Sequence, residues 1–189
     1  MPCWKRLLSA WSIAWLLLAA GFAWAGSIEP QRAALVATED GYALSAEFAV
    51  DLGPRLEEAV SRGVALNFIL EFDMTRPRWY WANEHVADYR LEYRLAYNAL
   101  TRQYRLSAGG LHQNFASLPE ALRVIGRVAA LPVIDKGVVK PGDVYNAALR
   151  LSLDRSQLPK PFQVDAIANR DWQVDAKILR WQFTVPEGK

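Results

Sequence analysis

The sequence predicts an all-β protein: an antiparallel β-sandwich of about seven strands with two short helices. An immunoglobulin-like topology is one candidate arrangement. Three observations carry this. Apolar and polar residues alternate with period two along four segments. Turn-forming residues separate those segments. Helical spacing of apolar residues is confined to two short stretches.

Residues 1–25 come first. Lys5 and Arg6 form a positive start, no charge follows from Leu7 to Ala25, and Ala23-Trp24-Ala25 offers a small-x-small cleavage site. This pattern reads as a secretory signal, with the mature chain starting at Gly26. The competing assignment is an uncleaved anchor, because the uncharged run approaches the ~20 residues that span a bilayer. Positive residues ahead of the run keep the N-terminus inside and put the remainder of the chain outside. Membrane contact is expected only if the segment is uncleaved.

Within residues 26–189 no linker or repeat divides the chain, so one domain is expected. A weak strand over about 31–38 opens it. Glu39-Asp40-Gly41 turns the chain into Tyr42, Leu44, Ala46, Phe48 and Val50, which share one face of a second strand. Pro54, Leu56, Ala59 and Val60, closed by Gly63, have the spacing of a short helix. Val64, Leu66, Phe68, Leu70, Phe72 and Met74 then alternate with Asn67, Glu71 and Asp73. Tyr89, Leu91, Tyr93, Leu95 and Tyr97 alternate with Arg90, Glu92 and Arg94. Asn98-Ala99-Leu100 turns into a weaker strand over 101–108, and Gly109-Gly110 reads as a further turn. Ser117-Leu118-Pro119-Glu120 has capping-box spacing ahead of Ala121, Leu122, Val124 and Ile125. Lys140-Pro141-Gly142-Asp143 precedes Tyr145, Ala147, Leu149, Leu151 and Leu153, whose alternates include Asn146, Arg150, Ser152 and Asp154. One dry face and one wet face per strand suits antiparallel sheets.

The last strand, about 173–185, changes parity. Trp172, Val174, Ala176 and Ile178 share one face, and Leu179, Trp181, Phe183 and Val185 the other. A bulge or bend at Ile178-Leu179, or a strand covered on both faces, accounts for it.

Composition excludes several functions. Taking Lys5 and Arg6 from the 22 basic residues leaves 20, equal to the 20 acidic ones, so the mature chain is neutral. A nucleic-acid binder needs a basic surplus, so no nucleic-acid partner is expected. The single cysteine, Cys3, precedes the apolar run. A mature chain without it has no disulfide, thiol or cysteine-metal chemistry. The two histidines, His85 and His112, lie in unlike contexts, and no H-E-x-x-H, G-x-S-x-G or phosphate-cradling loop occurs. No cofactor, metal or catalytic residue is assigned. Glu71 and Asp73 share a strand face as the carboxylates of a glycan hydrolase would, but alternation alone already places acids there. His112-Gln113-Asn114 reads as a polar loop ahead of the second helix.

Arg76-Pro77-Arg78-Trp79-Tyr80-Trp81 stands out. Pro77 ends the strand, and in an extended chain three consecutive aromatics cannot all turn inward. Residues 76–105 carry six Arg, no Lys and three acids. The predicted binding surface is Arg76, Arg78, Trp79, Tyr80 and Trp81, assisted by Arg102 and Arg105. Guanidinium forks grip acidic groups, and aromatics stack on sugars or anchor protein interfaces. A purely structural alternative has Trp79 and Trp81 plugging one end of the sandwich and the arginines pairing with Glu84, Asp88 and Glu92. Leu158-Pro159-Lys160-Pro161-Phe162-Gln163 reads as a rigid crossover anchored by Phe162, with an exposed recognition loop as the alternative.

Four of these segments together are similar to a known family: Arg76–Trp81, Leu100–Arg105, Phe115-Ala116-Ser117-Leu118 with Ala121-Leu122, and Leu158–Gln163. The chain resembles, over nearly all of residues 28–185, an uncharacterised domain-of-unknown-function family of short exported proteobacterial proteins. After Trp81 that pattern continues with an aromatic and an acid, where this chain has Ala82-Asn83. The resemblance implies a Gram-negative envelope location and a gene neighbourhood shared with a membrane sensor kinase. It implies no activity, cofactor or catalytic residue. The expected function is therefore a non-catalytic envelope binding protein whose partner is an envelope protein such as that kinase. A carbohydrate-binding module using the same aromatics, and the Glu71/Asp73 hydrolase, are the alternatives.

Overall fold

The computed structural model describes residues 26–80, 82–160, 162, 172 and 174–186. The signal-or-anchor assignment for 1–25 lies outside them, as do Trp81, Pro161 and Gln163.

Two sheets form. The first takes β1 (Gly26–Thr38), β2 (Gly41–Asp51), β7 (Arg127–Asp135) and β9 (Val174–Ala176) in the order β7-β2-β1-β9. The second takes β3 (Leu66–Arg76), β4 (Glu84–Asn98), β5 (Gln103–Ala108), β6 (Leu111–Phe115), β8 (Val144–Leu153) and β10 (Leu179–Thr184) in the order β10-β8-β3-β4-β5-β6. All pairs are antiparallel except β1 with β9.

The alternation reads out directly in the central strand β3. Leu66, Phe68, Leu70, Phe72 and Met74 point inward and are at most 2% exposed. They join Leu95, Tyr145, Leu149 and Leu151 of the same sheet and Ile28, Leu44 and Phe48 of the other in one core. Tyr42 of β2 meets Phe183 of β10 edge-on at 5.2 Å, so rings from the two sheets touch across that core.

The two helices close it further. In α1 (Gly53–Ser61), Leu56, Ala59 and Val60 are buried, and the Asp51 carboxylate accepts from the Gly53 amide at 2.9 Å. In α2 (Leu118–Ile125), Leu118, Ala121, Leu122 and Ile125 are buried. Ser117 takes the extended N-cap conformation, but its side chain makes no capping bond. Pro119 removes one of the two amides such a cap would accept from.

The count is ten strands, not seven, and the reasons are local. β6 is an edge strand wet on both faces, with Leu111 78% exposed, so His112-Gln113-Asn114 shows no alternation although it is a strand and not a loop. β7 contains Pro132, pairs with β2 through two register shifts, and carries Ala130 at φ 49°, which breaks period two. The immunoglobulin arrangement does not apply: it splits its strands A-B-E-D and C-F-G, whereas β3 to β6 here form an uninterrupted meander.

The parity change near Ile178 is a change of sheet. β9 pairs with β1, the Lys177 amide donates to the Ile28 carbonyl at 3.1 Å, and two residues later β10 pairs with β8. The crossover after β8 is anchored at Phe162, as expected. Leu158 is buried, and the Phe162 ring lies 5.2 Å from Trp172.

Candidate functional site

The segment after β3 forms a braced tip. Arg76 ends β3 directly opposite Glu84, the first residue of β4. Its Nε and one terminal nitrogen donate to one Glu84 oxygen at 2.9 and 2.6 Å, and its other terminal nitrogen reaches Asp143 at 3.2 Å. Arg78 approaches the same Glu84 oxygen at 2.6 Å. One carboxylate thus holds two guanidinium groups, and the loop is tied to both β4 and the turn before β8. The hydrogen bond from Arg78, then that from Arg76, keeps the Glu84 carboxyl below its ordinary range.

Beyond this brace the aromatics stand in solvent. Trp79 is 94% exposed and Tyr80 is 66% exposed. Their rings meet edge-to-face, with centroids 5.0 Å apart at 73°. Two isolated surface apolar groups are ordinary, whereas an adjoining Trp–Tyr pair on a held loop has the make-up of an interface anchor.

Arg102 and Arg105 are not part of this tip. Arg102 sits at φ 53° in the β4–β5 turn, and Arg105 lies on β5 opposite Ala96. β4 begins at Glu84 and runs away from the tip, so Ala96 is on the order of 40 Å of strand path from it. Closeness in sequence misled here because β4 is 15 residues long.

Glu71 and Asp73 lie on the outward face of the six-stranded sheet. Glu71 is centred in a row across three strands: Arg150 of β8 donates to it at 3.1 and 2.6 Å, and Arg90 of β4 lies at 3.6 Å. Asp73 faces Asp88 directly, a like-charge pairing that disfavours the sheet on its own. His85 relieves it, with Nδ1 at 3.2 Å from Asp73 and Nε2 at 3.0 Å from Asp88. A bulge makes this possible. The register shift between Met74 and Thr75 leaves Val86 unpaired, which brings His85 and Asp88 to the same face. Asp88 foremost, with Asp73 adding, raises the His85 pKa above its ordinary 6.5.

Next to these rows the same face is hollowed. One open depression of about 470 Å³ is lined by Glu71, Asp73, Asp88, Arg90, Arg150 and Arg180 among others. A second, of about 620 Å³, is bordered by Asp73, Thr75, Asn83, Asn146, Arg180 and Gln182. They share Asp73, Ala148 and Arg180 and so form one trough. Of these residues the sequence reading singled out only Glu71 and Asp73. The uncharged amides Asn146 and Gln182, at outward positions of β8 and β10, were the signal available. Among the described residues no group of three or more His, Cys, Asp or Glu side chains could hold a metal ion, and no helix is long and apolar enough to cross a membrane.

A family model described as "Domain of unknown function (DUF4390)" matches residues 25–182, from the start of β1 into β10. The chain belongs to the DUF4390 family. The braced tip, the His85 bridge and the trough all fall within the matched DUF4390 residues. Neither the curated proteins nor the solved structures contain a match to the chain. Membership agrees with the expected likeness to a family of unknown function.

Proposed function

We propose that this DUF4390 protein is a non-catalytic binding protein of the bacterial envelope, exported to the periplasm, which docks a protein partner through the tip at Arg76–Tyr80. The observation that carries this reading is the 94% exposure of Trp79 on a loop fixed at its base by Arg76, Arg78, Glu84 and Asp143. Exposing an indole gains nothing for folding, and fixing its loop lowers the entropy that ordering on contact would cost. The partner favoured by the family resemblance is the outer domain of a membrane sensor kinase.

The hydrolase reading is weaker because both Glu71 oxygens are engaged by arginines, which leaves that carboxylate poorly placed to act as acid or nucleophile. The test is calorimetric titration of the purified exported protein with the purified kinase outer domain. Trp79→Ala with Tyr80→Ala should weaken binding by about thirtyfold or more, the scale of a hot spot. Melting should move by no more than about 2 °C, because exposed substitutions rarely change stability by more than ~0.5 kcal/mol. Equal binding by the variant, or no binding by the native protein, overturns the proposal.

A further inference from the structure

The trough on the six-stranded sheet is a second surface, and its chemistry differs from that of the tip. Three successive rows of outward side chains are treated unlike one another. Arg150, Glu71 and Arg90 are satisfied by one another across the strands. In the next positions along the strands, Arg180, Thr75, Asn146 and Gln182 make no side-chain hydrogen bond or ion pair with any described residue, and the same holds for Asn83 at the rim.

Register brings these groups together. Thr75 pairs with Asn146, and Asn146 pairs with Gln182, so three uncharged hydrogen-bonding side chains cross β3, β8 and β10 in line. One step along, Arg180 pairs with Ala148 and Ala148 with Asp73. The small Ala148 side chain leaves the floor low between a guanidinium and a carboxylate. The depression at this end, about 620 Å³, falls in the range of ligand sites. It continues into the second depression through the three shared residues, which gives it the length for a chain and not only a single ring.

We infer that this trough binds an acidic oligosaccharide. Amide and hydroxyl side chains supply both donors and acceptors, as a polyhydroxylated ligand requires, and the Asp73 carboxylate accepts from hydroxyls. Ile178, Ala148 and Trp181 add apolar lining, on which the C–H faces of sugar rings can lie. Arg180 is the one lining arginine without an ion partner among the described residues, because Arg90 and Arg150 are already neutralised by acids. Its planar fork matches a sugar carboxylate. The site uses neither Trp79 nor Tyr80, so it stands or falls apart from the docking tip.

Calorimetry of the purified exported protein tests it with three probes: trigalacturonate, neutral maltotriose and the peptide triglutamate. Trigalacturonate should bind at least tenfold more tightly than either of the others. Arg180→Met should abolish its advantage over maltotriose, while Asn146→Ala with Gln182→Ala weakens both sugars. The Trp79→Ala, Tyr80→Ala double variant should keep full trigalacturonate affinity. No heat from trigalacturonate at millimolar concentration overturns the inference. So does binding indifferent to Arg180→Met, triglutamate binding as tight as the sugar, or loss of sugar binding in the tip variant.

Discussion

Gly41→Ala tests a close approach between two strands, one of which the sequence does not reveal. Gly41 opens β2 at φ 144°, and a Cβ there would lie 2.0 Å from the Ile134 carbonyl oxygen of β7 and 2.9 Å from the Asp135 carbonyl carbon. Both are backbone atoms, so no side chain can swing aside. Gly137, in the turn after β7, also has positive φ, 86°, but nothing lies within 4 Å of its virtual Cβ. Gly137→Ala therefore carries conformational strain alone, about 1–2 kcal/mol. Gly41→Ala adds forced overpacking of about 1–3 kcal/mol, for a total of roughly 2–5 kcal/mol. At ~2–4 °C per kcal/mol for a domain of this size, Gly137→Ala should lower the melting temperature by about 2–8 °C and Gly41→Ala by about 4–20 °C. Differential scanning calorimetry on the two variants in parallel measures the gap. Two melts within a degree of each other would refute the β2–β7 approach on which the four-stranded sheet depends.

Other expectations follow from the same geometry. Phe68→Ala, at a position with no exposure in the central strand, should cost about 3–5 kcal/mol in urea unfolding; a cost below 1 kcal/mol would contradict the inter-sheet core. Glu84→Ala removes the partner of Arg76 and Arg78, so trypsin should cut after Arg78 several-fold faster than in the native protein; an unchanged rate argues against the brace. The lowered Glu84 pKa makes that brace present above the ordinary carboxylate range and lost as pH falls through the depressed value, so cleavage of the tip by an acid-active protease should rise only below that range. His85 has the opposite sign: its raised pKa contributes below the ordinary 6.5 and is lost as pH rises through the folded value. Its NMR titration midpoint should lie above 6.5 and fall in Asp88→Asn; a midpoint at or below 6.5 in the native protein contradicts the bridge.

The strands with one buried and one wet face were legible because burial enforces the two-residue period: Leu66 to Met74 and Tyr145 to Leu151 show it cleanly. β6 and β7 were not, because one is wet on both faces and the other is interrupted by Pro132 and Ala130. The change of parity at Ile178 was visible in the sequence, but its meaning, a crossing from β1 to β8, depends on pairings far apart in the chain. The aromatic tip was legible because three consecutive aromatics cannot all be buried in an extended segment. Its brace was partly so, since Glu84 lies eight residues from Arg76, whereas Asp143 is 67 residues away. The inclusion of Arg102 and Arg105 failed because sequence proximity does not account for the length of β4. The His85 bridge depends on one unpaired residue, Val86, and such a bulge leaves no periodic trace.

Site-specific photo-crosslinking in intact cells tests the docking tip most directly. A benzophenone amino acid placed at position 79, on the tip, is compared with one at position 100, which is 96% exposed at the far end of β4. The account expects a discrete adduct with a single envelope protein from position 79 and none from position 100. No adduct at 79, or the same adduct from both positions, would contradict it.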